Sequence, residues 1–156
     1  MESVYIETSV VSYLVARPSR DLKAALRQNI TKEWWAEQRG RFACVISQEV
    51  IAEALNGDSE MAARRIAALQ GLPLIAGSLE STKLAVDLLR RGLFPANAGT
   101  DASHLAIATV AAVDYVLTWN CRHLANAQIL RHLETFISER GLRLPRVCTP
   151  EEFMGK

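Results

Sequence analysis

The sequence lacks a strong net charge of either sign. Its 18 lysine and arginine residues nearly balance its 17 aspartate and glutamate residues, which leaves a formal net charge of +1. Proteins that coat nucleic acid or lie on membrane surfaces usually carry a strongly basic field. Any contact with nucleic acid therefore has to depend on a local basic patch or on a metal ion.

Long apolar runs and a targeting segment are also missing. No stretch approaches the roughly 20 apolar residues that span a membrane, and the first residues do not resemble a signal peptide. We therefore expect a cytoplasmic protein without membrane contact. Three widely spaced cysteines, Cys44, Cys121 and Cys148, favour reduced thiols.

The motifs of several common sites do not occur. The sequence contains no glycine-rich phosphate-binding loop and no pair of Cys-x-x-Cys motifs. Cys121 and His123 resemble a zinc site only superficially, because a closed zinc site needs about four ligands at recognisable spacing.

Short apolar runs that alternate with amphipathic helices are the main feature that is present. With 156 residues, of which 49% are hydrophobic, the chain suits a single domain over residues 1–156. The predicted strands are residues 4–6, 42–46, 72–75, 114–118 and 146–148. This alternation predicts an α/β fold, with a parallel, doubly wound sheet of about five strands between helical layers.

Local signals predict several boundaries. Ser19 and Ser47 are expected to cap helices, and Pro73 places the third strand at a sheet edge or a strand start. Residues 149–152, Thr-Pro-Glu-Glu, predict the start of a last helix. The helix after Ser19 is expected to carry an apolar stripe of residues that recur every four positions: Leu22, Leu26, Ile30 and Trp34.

Four polar residues are predicted to meet at one rim of the sheet. Glu7 follows the first strand and Asn120 follows the fourth, and parallel strands end on the same side of a sheet. Glu53 lies about one and a half turns into the helix after the second strand. Asp101 is in the first turn of an apolar helix, where the helix dipole favours a carboxylate.

Three carboxylates so close together would repel one another without a cation. Hard oxygen ligands favour Mg²⁺ or Mn²⁺, and such an ion suits the hydrolysis of nucleic acid. Each acid could instead be a surface residue or a helix cap, an alternative that is weakest for Asp101 because an acid beside so apolar a helix needs a partner. His104 is either a hydrogen-bonded core histidine or a base or donor at the site.

Five segments keep a recognisable order and spacing: YIETSVVSYL (5–14), residues 46–53, TDASHLA (100–106), VDYVLTWN (113–120) and residues 145–153. Together they resemble the PIN-domain proteins, specifically the VapC-like toxins of type II toxin–antitoxin systems. The resemblance spans nearly the whole chain. It implies a three-layer α/β/α PIN-like fold and a Mg²⁺- or Mn²⁺-dependent endoribonuclease that acts as a toxin.

The resemblance also implies roles for individual residues. The three acids of the family correspond to Glu7, Glu53 and Asp101, and its fourth position corresponds to Asn120. Glu7 and Asp101 are then expected to hold the metal, Glu53 to bind the metal or orient a water, and Asn120 to support them. The implied partners are an RNA substrate, a cognate antitoxin that covers the site, and a second copy in a homodimer.

Two positions differ from the commonest family pattern. Glu7 stands where aspartate is usual, which moves the carboxylate outward by about 1 Å, and Asn120 supplies a neutral oxygen where aspartate is frequent. The alternatives are therefore a PIN-like module that binds RNA or a protein without cleaving, or a small-molecule phosphohydrolase of another doubly wound fold.

Other residues near the rim are expected to assist. The candidate hydroxyl donors are Thr8, Ser9 and Thr118. The candidate arginines for steering the RNA backbone are Arg17, Arg20 and Arg122.

Overall fold

The computed structural model describes residues 1–154 and contains a parallel sheet of five strands. The strands are β1 (Ser3–Ile6), β2 (Ala43–Ser47), β3 (Leu74–Ile75), β4 (Tyr115–Leu117) and β5 (Arg146–Cys148). They lie in the order β3-β2-β1-β4-β5, and every neighbouring pair is parallel. The predicted parallel sheet of about five strands is confirmed, and β3, which follows Pro73, lies at its edge.

Seven α-helices connect the strands in the described part of the chain. They are α1 (Thr8–Val15), α2 (Leu22–Glu37), α3 (Gln48–Ala54), α4 (Ser59–Leu69), α5 (Leu79–Arg90), α6 (Gly99–Val110) and α7 (Ala127–Glu139). A short 3-10 helix, Arg39–Arg41, follows α2. The helices cover the sheet and complete the predicted three-layer α/β/α architecture. That residues 1–156 form one domain stays a prediction.

The core lies around the central strand β1 and helix α6. Val4, Tyr5 and Ile6 are fully buried, which explains why β1 is apolar without alternation: a strand inside a parallel sheet is covered on both faces. Helix α6 is also buried along most of its length and packs against α5. The site residues at the start of α6 are therefore attached to a firmly packed element.

One prediction about α2 is wrong, and another holds only in part. The helix begins after Asp21, whose Oδ2 accepts a hydrogen bond from the Ala24 N–H at 2.9 Å, and not after Ser19. The expected apolar stripe is buried only toward its end. Trp34 is fully buried, but Leu22 is 85% exposed and Leu26 is 56% exposed, so the first turns of α2 are not covered by the rest of the fold.

The predicted last helix does not form within residues 1–154. Thr149 and Glu152 do make the mutual hydrogen bonds of a capping box, at 3.1 to 3.3 Å. The chain continues as a turn, because Phe153 packs against Tyr115 and Phe42 with ring centroids 4.5 and 4.8 Å apart. Tertiary packing thus overrides the local signal.

None of the helices in residues 1–154 is long and apolar enough to cross a membrane. All three cysteines are free thiols; Cys44 and Cys148 are buried and Cys121 is exposed. Burial raises the pKa of the Cys44 thiol to about 11 and that of Cys148 to about 12, so neither is a reactive thiolate at neutral pH.

Candidate active site

The four predicted site residues lie near the C-terminal ends of the strands. Glu7 directly follows β1, and its backbone N–H donates to the Leu117 carbonyl of β4 at 3.0 Å. Asn120 lies just beyond β4, and Asp101 is in the first turn of α6. Glu53 is near the end of α3, the helix that follows β2. The fold thus supplies every one of them from this rim or from a helix that begins there.

Glu7 is a buried carboxylate surrounded by hydrogen-bond donors. Its Oε1 accepts from the hydroxyls of Ser9 and Thr118, both at 2.5 Å, and its Oε2 accepts from the Ser9 backbone N–H at 3.1 Å. The side chain is only 5% exposed, so Glu7 is not a solvated residue at a strand end. Since these donors are all uncharged, a cation nearby would favour the buried carboxylate.

Glu53 presents one held and one free carboxylate oxygen. Its Oε1 accepts from the Thr8 hydroxyl at 2.7 Å and also contacts Nε2 of His104. Its Oε2 accepts no hydrogen bond from the described residues. Burial alone would raise the pKa of Glu53, but the hydrogen bonds from His104 and Thr8, with the charge of His104, lower it. The carboxylate is therefore kept ionised with one oxygen available.

His104 is fully buried, and both of its ring nitrogens have partners. Nδ1 pairs with the Tyr5 hydroxyl at 2.6 Å, and Nε2 contacts Glu53. Burial disfavours the imidazolium, but the hydrogen bond to Glu53 and the negative charges of the nearby acids outweigh burial and raise the pKa of His104. His104 is thus a hydrogen-bonded core histidine, as one alternative expected, and it also touches a predicted site residue.

These residues fit a divalent cation. Glu7, Glu53 and His104 each offer one ligand atom, and the three atoms lie within 4.8 Å of one another. Carboxylate oxygens suit Mg²⁺ and Mn²⁺. Because both nitrogens of His104 already have partners, the carboxylates of Glu7 and Glu53 are the groups best placed to bind an ion.

Asp101 lies in a neighbouring network and is not part of that group of three. Its Oδ1 accepts from the Asn120 side-chain amide, and its Oδ2 pairs with Nδ1 of His123, both at 3.0 Å. The Asn120 side-chain oxygen in turn accepts from the His123 backbone N–H at 3.0 Å. Thr118 links the two networks, since its hydroxyl contacts both Glu7 and the Asn120 N–H. The structure thus places Asn120 beside Asp101.

The candidate arginines are on the surface. Arg17 is paired with Glu60 at 2.9 Å, whereas Arg20 and Arg122 are exposed. Arg27, which the sequence did not single out, lies over the ring of Trp119 at 5.0 Å, next to Asn120 in the chain. It is an additional cation near the rim.

Three polar residues of these networks were not predicted to take part in the site. Tyr5 and Ser47 form a buried hydrogen-bonded pair that reaches His104, and His123 contacts Asp101. A tyrosine inside an otherwise apolar strand indicates a buried polar partner, because a buried hydroxyl needs a hydrogen bond. For His123, the sequence contained no comparable signal.

The fold and the acidic rim define the class of protein: a three-layer α/β/α protein with a candidate metal site at the C-terminal ends of its strands. No family model matches the sequence, and no curated protein matches it. Similar solved structures do exist.

Two solved structures share this fold. One is VapC20 of Mycobacterium tuberculosis, a Sarcin-Ricin loop cleaving toxin, which is 17% identical with a TM-score of 0.60, covering 77% of this chain and 92% of that chain. The other is VapBC2 of Rickettsia felis bound to a DNA fragment from its promoter, which is 15% identical with a TM-score of 0.54, covering 94% and 98%. The chain therefore has the PIN-like fold of VapC proteins, as predicted.

Proposed function

We propose that this protein is a Mg²⁺- or Mn²⁺-dependent endoribonuclease and the toxin of a toxin–antitoxin pair. The observation that carries the proposal is that carboxylate oxygens of Glu7 and Glu53 lie within 4.8 Å of each other at the sheet rim, and that Oε2 of Glu53 accepts no hydrogen bond from residues 1–154. The likeness of fold to VapC20, a Sarcin-Ricin loop cleaving toxin, supports RNA as the substrate class.

Each rim residue has a distinct role in this proposal. Glu7 and Glu53 hold the cation, and the hydroxyls of Thr118 and Ser9 fix the orientation of Glu7. When bound, the cation would supply positive charge opposite the scissile phosphate and make a water easier to deprotonate. Asp101 supplies the third carboxylate at the start of α6.

Asn120 supports Asp101 in this proposal. Its side-chain N–H donates to Oδ1 of Asp101, while His123 holds Oδ2. These two contacts fix the carboxylate in one orientation. Asn120 therefore acts through Asp101 rather than as an additional charged ligand.

A second candidate is a PIN-like module that binds RNA or a protein without cleaving. The observation that favours it is the state of Asp101, both of whose carboxylate oxygens already have protein partners. Asn120 adds no charge to the site. Such a module would bind RNA under either metal and release no products.

The first prediction concerns RNA cleavage by the purified full-length chain. A panel of single-stranded and hairpin RNAs, including a sarcin–ricin loop RNA, is expected to be cut with Mg²⁺ or Mn²⁺ and not with EDTA, because the carboxylates need the cation to act on a phosphodiester. Products are measured on denaturing gels. Activity that persists in EDTA would contradict the proposed metal dependence, and RNA binding without products would favour the non-cleaving module.

The proposed partners are a cognate antitoxin that covers the rim and a second copy of the chain. The fold shared with a chain of the VapBC2 complex supports the antitoxin. Induced expression of the protein alone should arrest bacterial growth, and co-expression with a small protein encoded next to it should relieve the arrest. Unimpeded growth would argue against a toxin.

A second prediction tests the cation directly. Asn120→Asp replaces the amide that donates to Asp101 with a second carboxylate about 3 Å away, so the variant should lose about 1 to 3 kcal/mol of stability in EDTA. It should regain more stability than the wild type when Mn²⁺ is added, because a cation neutralises the pair. Thermal unfolding measures both effects.

The matched control is Asn126→Asp. Asn126 caps α7 by accepting from the Gln128 and Ile129 N–H groups, a role that aspartate also fills. This control adds the same charge and should show the Mn²⁺ response of the wild type. An equal response in all three proteins would show that the cation does not lie close enough to Asp101 to neutralise it.

A further inference from the structure

A buried chain of hydrogen bonds leads from the end of β2 to the candidate metal site. The Ser47 hydroxyl pairs with the Tyr5 hydroxyl at 2.6 Å, the Tyr5 hydroxyl pairs with Nδ1 of His104 at 2.6 Å, and Nε2 of His104 contacts Oε1 of Glu53. Ser47, Tyr5 and His104 are each fully buried. Such a continuous polar chain in a core is costly unless every member is satisfied, and here every member is.

Ser47 takes part in this series of hydrogen bonds instead of capping α3. It occupies the N-cap position of α3, where a serine side chain normally accepts a hydrogen bond from the first turn. No side-chain capping bond is made, and its hydroxyl points to Tyr5 instead. A residue that abandons a favourable local interaction often serves a functional site.

These hydrogen bonds end on Glu53, which is the most exposed of the three acids of the site. The Glu53 side chain is 34% exposed and lies near the end of a short helix. Thr8 and His104 both hold Oε1, whereas Oε2 accepts no hydrogen bond from residues 1–154. Without these contacts, the Glu53 side chain would adopt other rotamers in solvent. Binding of a cation would then be weaker, because it would cost the conformational entropy of ordering that side chain.

We propose that Ser47, Tyr5 and His104 are positioning residues that hold the Glu53 carboxylate in the orientation needed to bind the divalent cation. This inference rests on the proposed metal-dependent function and goes beyond it, because none of the three residues has to touch RNA. Tyr5 aligns His104, and His104 aligns Glu53. Partners of this kind, one contact removed from the ion, commonly change metal affinity by about 10- to 100-fold.

A merely structural role would have a different consequence. If the Tyr5 hydroxyl only satisfied a buried histidine, its loss would lower the unfolding temperature and leave the cation affinity of the folded protein unchanged. If it positions Glu53, the affinity must fall. Mn²⁺ affinity, measured by titration calorimetry on the full chain, therefore separates the two roles without depending on RNA cleavage.

The test compares Tyr5→Phe with Tyr115→Phe. The first variant removes the hydroxyl that meets His104 and is expected to weaken Mn²⁺ binding by about 10-fold or more. The second makes the same change on the neighbouring strand, where the hydroxyl bonds to Glu2, and should bind Mn²⁺ as the wild type does. Circular dichroism confirms that both variants are folded.

Two serine variants, Ser47→Ala and its control Ser78→Ala, keep the proposal falsifiable if Tyr5→Phe does not fold. Ser78 is a true cap of α5, whose Oγ accepts from the Ser81 N–H at 3.0 Å. Ser78→Ala should lower the unfolding temperature and leave Mn²⁺ affinity unchanged, whereas Ser47→Ala should weaken Mn²⁺ binding. Wild-type affinity in the folded Tyr5→Phe and Ser47→Ala variants would overturn the proposal.

The outcomes also separate this inference from the proposed function. Weaker Mn²⁺ binding by Tyr5→Phe in a protein that cuts no RNA would support the positioning role and reject the ribonuclease. Metal-dependent cleavage by the wild type, with unchanged Mn²⁺ affinity in Tyr5→Phe, would support the ribonuclease and reject the positioning role. A wild-type protein that binds no Mn²⁺ would overturn both.

Discussion

Replacing Glu7 with glutamine is expected to reduce RNA cleavage by about 100-fold or more. Glu7 contributes a full negative charge from a position that is 5% exposed, so its interaction with a cation is weakly screened by water. Glutamine has the same size and keeps an oxygen for the Ser9 and Thr118 hydroxyls, so the variant should stay folded. Initial rates on a sensitive RNA, together with Mn²⁺ affinity, measure the effect.

Glu7→Asp separates the charge of this residue from its reach. Aspartate retains the charge and shortens the side chain by about 1 Å or slightly more, which brings the site closer to the commonest family pattern. Retained or increased cleavage is expected if the ion can follow the carboxylate inward, since the backbone N–H of Ser9 can still donate to it. Glu7→Ala with unchanged cleavage would show that Glu7 has no part in the reaction.

The fold was accessible from sequence because its signals are local and repeated. Unbroken apolar runs such as 4–6 indicated strands covered on both faces, and the helices between them required parallel connections. The start of α6 was accessible for the same reason, since the apolar run after Asp101 had to lie inside the protein. The strands, the connecting helices and the start of α6 each follow from the pattern of apolar residues along a segment, and that pattern can be read from a single sequence.

The contacts within the site were less accessible, because they depend on which rotamer each side chain adopts. The sequence placed Asp101 and Asn120 at one rim, but it did not indicate that His123 would take the other oxygen of Asp101. Nor could it show that the Ser47 hydroxyl turns inward to Tyr5, because capping was the favoured local interaction. Partners far apart in sequence decided both cases.

Trp34→Ala is expected to destabilise the protein by about 3 to 5 kcal/mol. Trp34 is fully buried, and its ring is stacked near Phe42 and Phe153, with centroids 6.3 and 6.0 Å away. Removing the indole leaves a cavity in this aromatic cluster that the surrounding backbone cannot easily close. Urea-induced unfolding, followed by circular dichroism because the substitution removes a fluorophore, measures the loss.

Trp34→Phe should cost distinctly less, about 1 to 2 kcal/mol. The indole Nε1–H of Trp34 is buried and has no hydrogen-bond partner among residues 1–154, so phenylalanine removes an unsatisfied donor while it keeps most of the apolar ring. The indole of Trp119, by contrast, donates to the Thr31 hydroxyl at 2.8 Å and thereby joins α2 to the chain next to Asn120. Equal losses in Trp34→Ala and Trp34→Phe would contradict the cavity argument.

Thr31 lies one turn from Trp34 on the same helix. A loosened α2 should therefore also lower Mn²⁺ affinity, and more in the alanine variant than in the phenylalanine variant. Such a result would connect the stability of this aromatic cluster to the rim.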